Sequence, residues 1–229
     1  MIKSPLIPQT IKTKLAKFNP TTISHKGANS PASLAQALQT NIDFVEADIQ
    51  EVSGRLAVAH ERFLGPFAFE KSLKFLRIFP PKFYFDNLVK NAIKIKKKLF
   101  LDLYISPKSA KTLVSTIKHN RQKFYFSSKN WQTLDAIAAT FGNIKQMYYT
   151  VNSQKRLNQF LAEQTHRCAR GVSLHKSLAH AHNIASLKAH NLRIWVHTLD
   201  DPWQTLAILN FGVDGIISNN LRLLSIFKD

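Results

Sequence analysis

The feature that most constrains this chain is a repeating alternation, in which short runs of β-branched, aromatic and aliphatic residues are each followed by a longer stretch of helical period. A strand followed by a crossover helix is the unit of a parallel sheet. Eight such runs are placed at 21–27, 44–50, 99–104, 124–128, 146–151, 171–175, 192–199 and 215–219, and a short ninth at 56–61 is expected to turn back beside the second through Ser53-Gly54. Helical period occupies 33–39, 110–118, 131–141, 154–163, 177–189 and 202–210. Asp201 before Pro202 reads as a helix cap, and Gly142 and Gly212 stand where helices should stop. Eight strands with helices between them predict an α/β fold, the (β/α)8 TIM barrel, with a doubly wound open sheet as the alternative.

At 229 residues and 45% hydrophobic content, the chain suits one core, so residues 1–229 are expected to form a single domain. The stretch 62–98, between the second and third barrel strands, breaks the rhythm. It carries Phe63, Phe67, Phe69, Phe75, Phe79, Phe83 and Phe85 among many basic residues. One reading is a helical insertion whose aromatics pack on the barrel top. The other is a lid or flap whose phenylalanines enter a membrane interface while Lys94, Lys96, Lys97 and Lys98 face anionic headgroups.

The formal charge of +18 predicts a field that draws in phosphate groups, on a small substrate, an anionic membrane surface or a nucleic acid. No nucleic-acid motif accompanies that charge, which argues against the last. The single cysteine, Cys168, cannot form an internal disulfide, and the first residues lack the apolar run of a signal peptide or span. A cytoplasmic protein is expected, with peripheral membrane contact as an extension of that reading.

Barrel enzymes carry their chemistry at the carboxyl ends of the strands. His25 ends the first run, Glu46 and Asp48 lie on the second, His60 and Glu61 close the short hairpin strand, and Asp102 and Tyr104 lie on the third. Glu46 and Asp48 are two residues apart, so both side chains point to one face. Two buried carboxylates resist ionisation unless a cation sits between them. With Asp102 reaching the same face, the set predicts an oxygen-ligand site for Mg2+ or Ca2+. Two histidines, His25 and His60, can share the base and acid roles that phosphodiester cleavage requires.

His25-Lys26-Gly27, Glu46-Ala47-Asp48 and His60-Glu61 resemble the H-R-G, E-x-D and H-D motifs of the glycerophosphodiester phosphodiesterase family. Residues 212–219 resemble the G-V-D-G-I-[IM]-T-[DN] signature closing that barrel, and Trp195 matches the tryptophan of its penultimate strand. The resemblance implies His25 and His60 as the acid/base pair, Glu46, Asp48 and Asp102 as metal ligands, and Lys26, Tyr104 and Trp195 about the substrate phosphate. It also implies a substrate hydroxyl that attacks phosphorus to give a cyclic phosphate, hydrolysed or released.

Several positions depart from the pattern. Pro31-Ala32-Ser33 replaces the E-N-T motif, His25 and Glu46 are separated by only 21 positions (46 − 25), Asp102-Leu103-Tyr104 replaces an acidic-x-Lys pattern, and Glu61 replaces an aspartate. The short first loop, Asp102 and the Ser-Asn ending resemble the sphingomyelinase D-type phospholipases of the same superfamily. Glycerophosphodiesters and lysophospholipid headgroups are therefore the expected substrates. The competing expectation is a barrel that has lost its chemistry and binds phospholipid or another polyanion.

Overall fold

All eight of the expected barrel strands form, and the sheet closes. The computed structural model describes residues 7–64, 67–69, 75–78, 81–94, 97–142 and 146–228. Its barrel strands are β1 (Thr21–Ser24), β2 (Phe44–Val52), β3 (Lys98–Tyr104), β4 (Phe124–Ser128), β5 (Met147–Val151), β6 (Ala169–His175), β7 (Arg193–His197) and β8 (Gly215–Ser218). Each is parallel to its neighbours, and β1 pairs with both β8 and β2. That double pairing excludes the open sheet and leaves the (β/α)8 barrel.

Strand alternation sets what faces where. On β2 and β3, Val45, Ala47, Ile49, Leu99, Leu101 and Leu103 join the core between sheet and helices. The opposite parity, Phe44 and Phe100, joins Ile23, Tyr148, Trp195 and Ile217 in a separate cluster that fills the barrel interior. Glu46, Asp48 and Asp102 share that inward parity. A one-residue slip would carry the carboxylates into the helix layer and expel leucines worth about 2 kcal/mol each, so the outer core fixes the site's register.

The helices follow the expected places, with Pro31–Gln39, Ala110–Ile117, Trp131–Phe141, Gln154–Glu163, Ala181–Ala189 and Pro202–Leu209 on the outside. Asp201 accepts from the Gln204 N–H at 2.7 Å, and Gly142 and Gly212 take positive φ at their helix ends. Ser53 and Gly54 also take positive φ, turning β2 back into the hairpin strand Arg55–Val58. A helix with no clear sequence signal, Gln9–Leu15, buries Ile11 and Leu15 and packs against Pro202–Leu209.

The stretch 62–98 corrects the expectation of a helical insertion. Where described, it begins as a three-stranded antiparallel sheet, Arg62–Leu64, Phe67–Phe69 and Phe75–Ile78. Helix Phe85–Lys94 follows as the barrel's own crossover after β2, with Phe85, Leu88 and Val89 buried in the main core. Phe83 is core as well, whereas Phe67 is 41% exposed. Phe79 and Lys96 lie outside the described residues. Lys97 and Lys98 stand at the amino-terminal start of β3, where Lys97 Nζ donates to the carbonyls of Thr40 and Ile42, which places them at the end of the barrel away from the carboxyl ends of the strands. No helix among the described residues is long and apolar enough to cross a membrane.

Candidate active site

Strand β1 stops at Ser24, and His25-Lys26-Gly27 form a turn rather than the strand end expected from the sequence. The His25 N–H donates to the Ser218 carbonyl at 2.8 Å, extending the β1–β8 ladder by one residue and placing the imidazole at the mouth. Lys26 sits at φ 54°, an uncommon conformation for a residue with a side chain. Its reward is local: the Lys26 N–H donates to Glu46 Oε2. Gly27 is required by close approach, because a Cβ there would lie 2.3 Å from Ser24 Oγ and 2.8 Å from Val45 Cγ1.

Glu46 and Asp48 are 3% and 1% exposed, and β3 brings Asp102 into register beside Asp48. One oxygen from each of the three carboxylates can be chosen so that all lie within 4.8 Å of one another. Burial pushes the Glu46 carboxyl well above the usual carboxylate range, and the charges of Asp48 and Asp102 push it further. Such crowding is a standing cost to the fold unless a cation offsets it, and an all-carboxylate donor set fits a hard divalent ion. The residues present therefore fit the divalent metal expected from the sequence. The cluster also positions its neighbours: Asn29 Nδ2 donates to Asp48 Oδ2 at 2.7 Å, while the Asp48 N–H donates to Asn29 Oδ1 at 2.9 Å.

The two histidines are held differently. His60 Nδ1 lies 3.0 Å from Asp48 Oδ2, an acceptor, so Nδ1–H donates and Nε2 stays outside this bond. His25 Nδ1 lies 2.9 Å from Asn219 Oδ1, and Asn219 Nδ2 in turn donates to Asp200 Oδ2 at 2.8 Å. Asp200 also accepts from the Asn219 N–H and the Ser218 hydroxyl. Partial burial raises the Asp200 carboxyl, but these hydrogen bonds outweigh it and leave the group below its ordinary value, a firm anion. An anion can only accept, so the Asn219 amide must point its nitrogen at Asp200 and its oxygen at His25. Burial holds His25 below the ordinary histidine value, only partly opposed by that hydrogen bond.

His25, Lys26, Glu46, His60, Asp102 and Tyr104 line one cavity of about 280 Å³ at the carboxyl ends of the strands. Tyr104 bonds to Asp102, and burial followed by the nearby carboxylates raises its phenol far above the ordinary value, so it stays a protonated donor. Ser127 donates to Asp102 Oδ1 at 2.8 Å. His175, His197, Ser173 and Lys129 complete the polar wall.

A family profile, that of the glycerophosphoryl diester phosphodiesterase family, matches residues 69–223. The chain belongs to this family. It is accordingly an enzyme of the phosphoric diester hydrolase class. The match begins after His25, Glu46, Asp48 and His60, so the placement of those four is a separate observation from the phosphodiesterase profile, whereas Asp102, Asp200 and Asn219 lie within it. Among solved structures, a phosphodiesterase from Oleispira antarctica, in complex with the product sn-glycerol-3-phosphate, aligns with a TM-score of 0.70 and 18% identity over 94% of this chain and 99% of that one. A glycerophosphodiester phosphodiesterase from Parabacteroides distasonis aligns at 0.72 and 18%, over 92% and 97%. A chain described as a putative glycerophosphoryl diester phosphodiesterase from Silicibacter pomeroyi aligns at 0.73 and 14%, over 92% and 93%. At these identities the likeness is one of fold. No curated protein matches the chain.

One expected member of this phosphodiesterase site is displaced. Trp195 is 2% exposed, stacks on Tyr148 with ring centroids 3.7 Å apart, and packs against Phe100, beneath the catalytic cavity. It lines the opposite mouth of the barrel and does not line the site, because it lies midway along β7 and level with Gly215, the first residue of β8. Three residues were missed. Lys129 and Asp200 follow the ends of β4 and β7, where the rule that located His25 would have found them. Asn29 left no sequence signal, since its role comes from a loop folding back onto β2.

Proposed function

We propose that the protein cleaves glycerophosphodiesters, and lysophospholipid headgroups of the same diester chemistry, by general acid/base catalysis at a divalent-metal site. The observation that carries this reading is the convergence of His25, His60, Glu46 and Asp102 on one cavity, with Asp48 bonded to His60 and clustered with the other two carboxylates. Glu46, Asp48 and Asp102 would hold Mg2+ or Ca2+. When bound, such an ion neutralises the crowded carboxylates and supplies positive charge to the phosphate. The product bound in the Oleispira antarctica structure, sn-glycerol-3-phosphate, is of the class this reading predicts.

The chain's own groups divide the proton work. His25 is favoured in its neutral form by burial, and its Nδ1–H is committed to Asn219, so its Nε2 lone pair acts as base. It takes the proton of an attacking hydroxyl, from the neighbouring glycerol carbon or from water, as the new P–O bond forms. The bond to the leaving alcohol breaks, and His60, acting as the imidazolium with Nδ1–H kept on Asp48, gives the leaving oxygen its Nε2 proton. Lys26 and Lys129 provide positive charge, and Tyr104 a neutral donor, around the non-bridging oxygens.

The test is cleavage by purified protein of a panel of glycerophosphodiesters and lysophospholipids, with Mg2+ or Ca2+ and with chelator. The reading expects chelator-sensitive turnover that falls by about two to four orders of magnitude in His60→Ala. Absence of turnover on the whole panel, with retained binding to anionic liposomes, would favour the binding-only barrel instead.

A further inference from the structure

The barrel has a second cavity at its other end, about 560 Å³ and larger than the catalytic one. It is lined by the first residues of the strands, including Thr21, Phe44, Lys98 and Arg193, and so lies across the interior aromatic cluster from the catalytic mouth. Five cationic side chains line it, and Asp43 is the one carboxylate among the described lining residues. Asp43 is already engaged, accepting from the Thr22 N–H at 2.8 Å and pairing with Lys228 at 2.8 Å. Lys97 is also engaged, with backbone carbonyls. Lys98, Arg170 and Arg193 are left as the cationic face.

That face is built rather than scattered. The register between β5 and β6 shifts between Ala169 and Gly171, leaving Arg170 as the extra residue of a bulge, a device that re-aims a side chain. The Arg170 guanidinium is brought to the Tyr148 hydroxyl, at the cavity wall. On the other side of the strand the lack of a side chain at Gly171 permits a very close backbone approach, since a Cβ there would lie 2.0 Å from the Arg193 carbonyl oxygen. Arginines from adjacent strand starts are thereby drawn to one opening, an arrangement of like charges that costs stability unless an anion is present. Beside them Lys98 Nζ lies 5.7 and 5.5 Å from the ring centroids of Phe44 and Tyr125, which meet edge to face at 4.8 Å.

We propose that this cavity at the amino-terminal mouth binds a small phosphate ester with a planar or apolar body, its phosphate held by Lys98, Arg170 and Arg193 and its body seated on the wall of Phe44 and Tyr125. Three cations match a phosphomonoester. A volume within the usual range of ligand pockets is far more than a bare phosphate fills, and the aromatic wall supplies the contact area that the remainder needs.

Trp195 makes the proposal measurable. Its indole Nε1 is buried at the cavity's inner wall without a hydrogen-bond partner, whereas the Trp131 indole donates to the Thr150 carbonyl and Trp203 is exposed. The full-length protein, labelled with 15N-tryptophan, is titrated in chelator at fixed ionic strength with adenosine monophosphate, and separately with inorganic phosphate. The expected result is a saturable shift of the Trp195 indole resonance, with the nucleotide binding at least about tenfold tighter than phosphate. Lys98→Gln and Arg193→Gln should each weaken it by about tenfold while leaving diesterase turnover unchanged. A Trp195 resonance that does not move, a shift that grows linearly without saturating, or affinity indifferent to both substitutions in folded protein would overturn the proposal. Equal affinity for the nucleotide and inorganic phosphate would overturn the seat on the aromatic wall.

Discussion

The His25 imidazole is 2.9 Å from the side-chain oxygen of Asn219, and that amide has only one orientation open to it because Asp200 takes its nitrogen. The relay leaves Nε2 of His25 as the basic atom. Burial lowers the His25 pKa, so the imidazole stays neutral to a lower pH than a free histidine. The acidic limb of kcat/KM against pH should therefore fall below the ordinary histidine value of about 6.5. The Asn219 hydrogen bond opposes burial and raises that pKa. Asn219→Ala should accordingly move the acidic limb to still lower pH while cutting kcat by about 10- to 100-fold. A full pH–rate profile of both proteins checks this, and a limb that stays fixed on substitution would remove Asn219 from the role.

Glu46 should report the metal site through stability. Its folded pKa is raised by burial first and by Asp48 and Asp102 next. For a carboxyl raised in this way, stability is fully present below the unfolded pKa and is lost as pH rises through the folded one. In chelator, Glu46→Gln removes the disfavoured charge while keeping an oxygen for the Lys26 N–H. It should raise Tm by a few degrees near neutral pH, an effect that shrinks in acid, and abolish turnover. Mg2+ or Ca2+ should stabilise the parent protein and leave the variant's Tm unmoved. Calorimetry across pH, with and without the ion, measures all three effects.

Gly27 tests whether the first turn is shaped for the site. A Cβ at this position meets Ser24 Oγ and Val45 Cγ1 at distances no real side chain tolerates. Gly27→Ala should cost about 1–3 kcal/mol of stability. Because the turn also carries His25 and aims the Lys26 N–H at Glu46, kcat should drop in protein that is still folded at the assay temperature. Denaturant titration beside turnover separates the two effects.

What the sequence disclosed and what it concealed follow one physical division. The strands were legible because period-two alternation and the outer core, Val45, Ala47, Ile49 and Leu99, are local patterns that also fix the register of Glu46 and Asp48. The carboxylate trio was legible for the same reason, since parity alone brings Asp102 to the face of Asp48. Trp195 went wrong because a residue's depth along the strand, not its type, decides which mouth it serves. The small sheet of Arg62–Leu64, Phe67–Phe69 and Phe75–Ile78 departs from the helical expectation because its closely spaced aromatics satisfy either period over so short a run. Asp200 was hidden beside Asp201, whose evident capping role drew the reading to itself.

Lys129 carries the last prediction. The family pattern places a lysine two residues after the acidic residue of β3, and here that position is Tyr104, which can donate a hydrogen bond but carries no charge. Lys129, one strand over at the end of β4, lines the same cavity and lowers the pKa of His175 by its charge, after burial and Lys176. If it replaces the missing charge, Lys129→Ala should lower kcat/KM by about 10- to 100-fold, the range expected on losing a charge-assisted contact. Adding Tyr104→Lys to that variant should restore part of the loss, because it returns a cation to the phosphate from the neighbouring strand. Steady-state kinetics of the two variants decide the matter: an unaffected Lys129→Ala places the lysine outside the reaction, and a loss that Tyr104→Lys cannot recover assigns it a role other than charge.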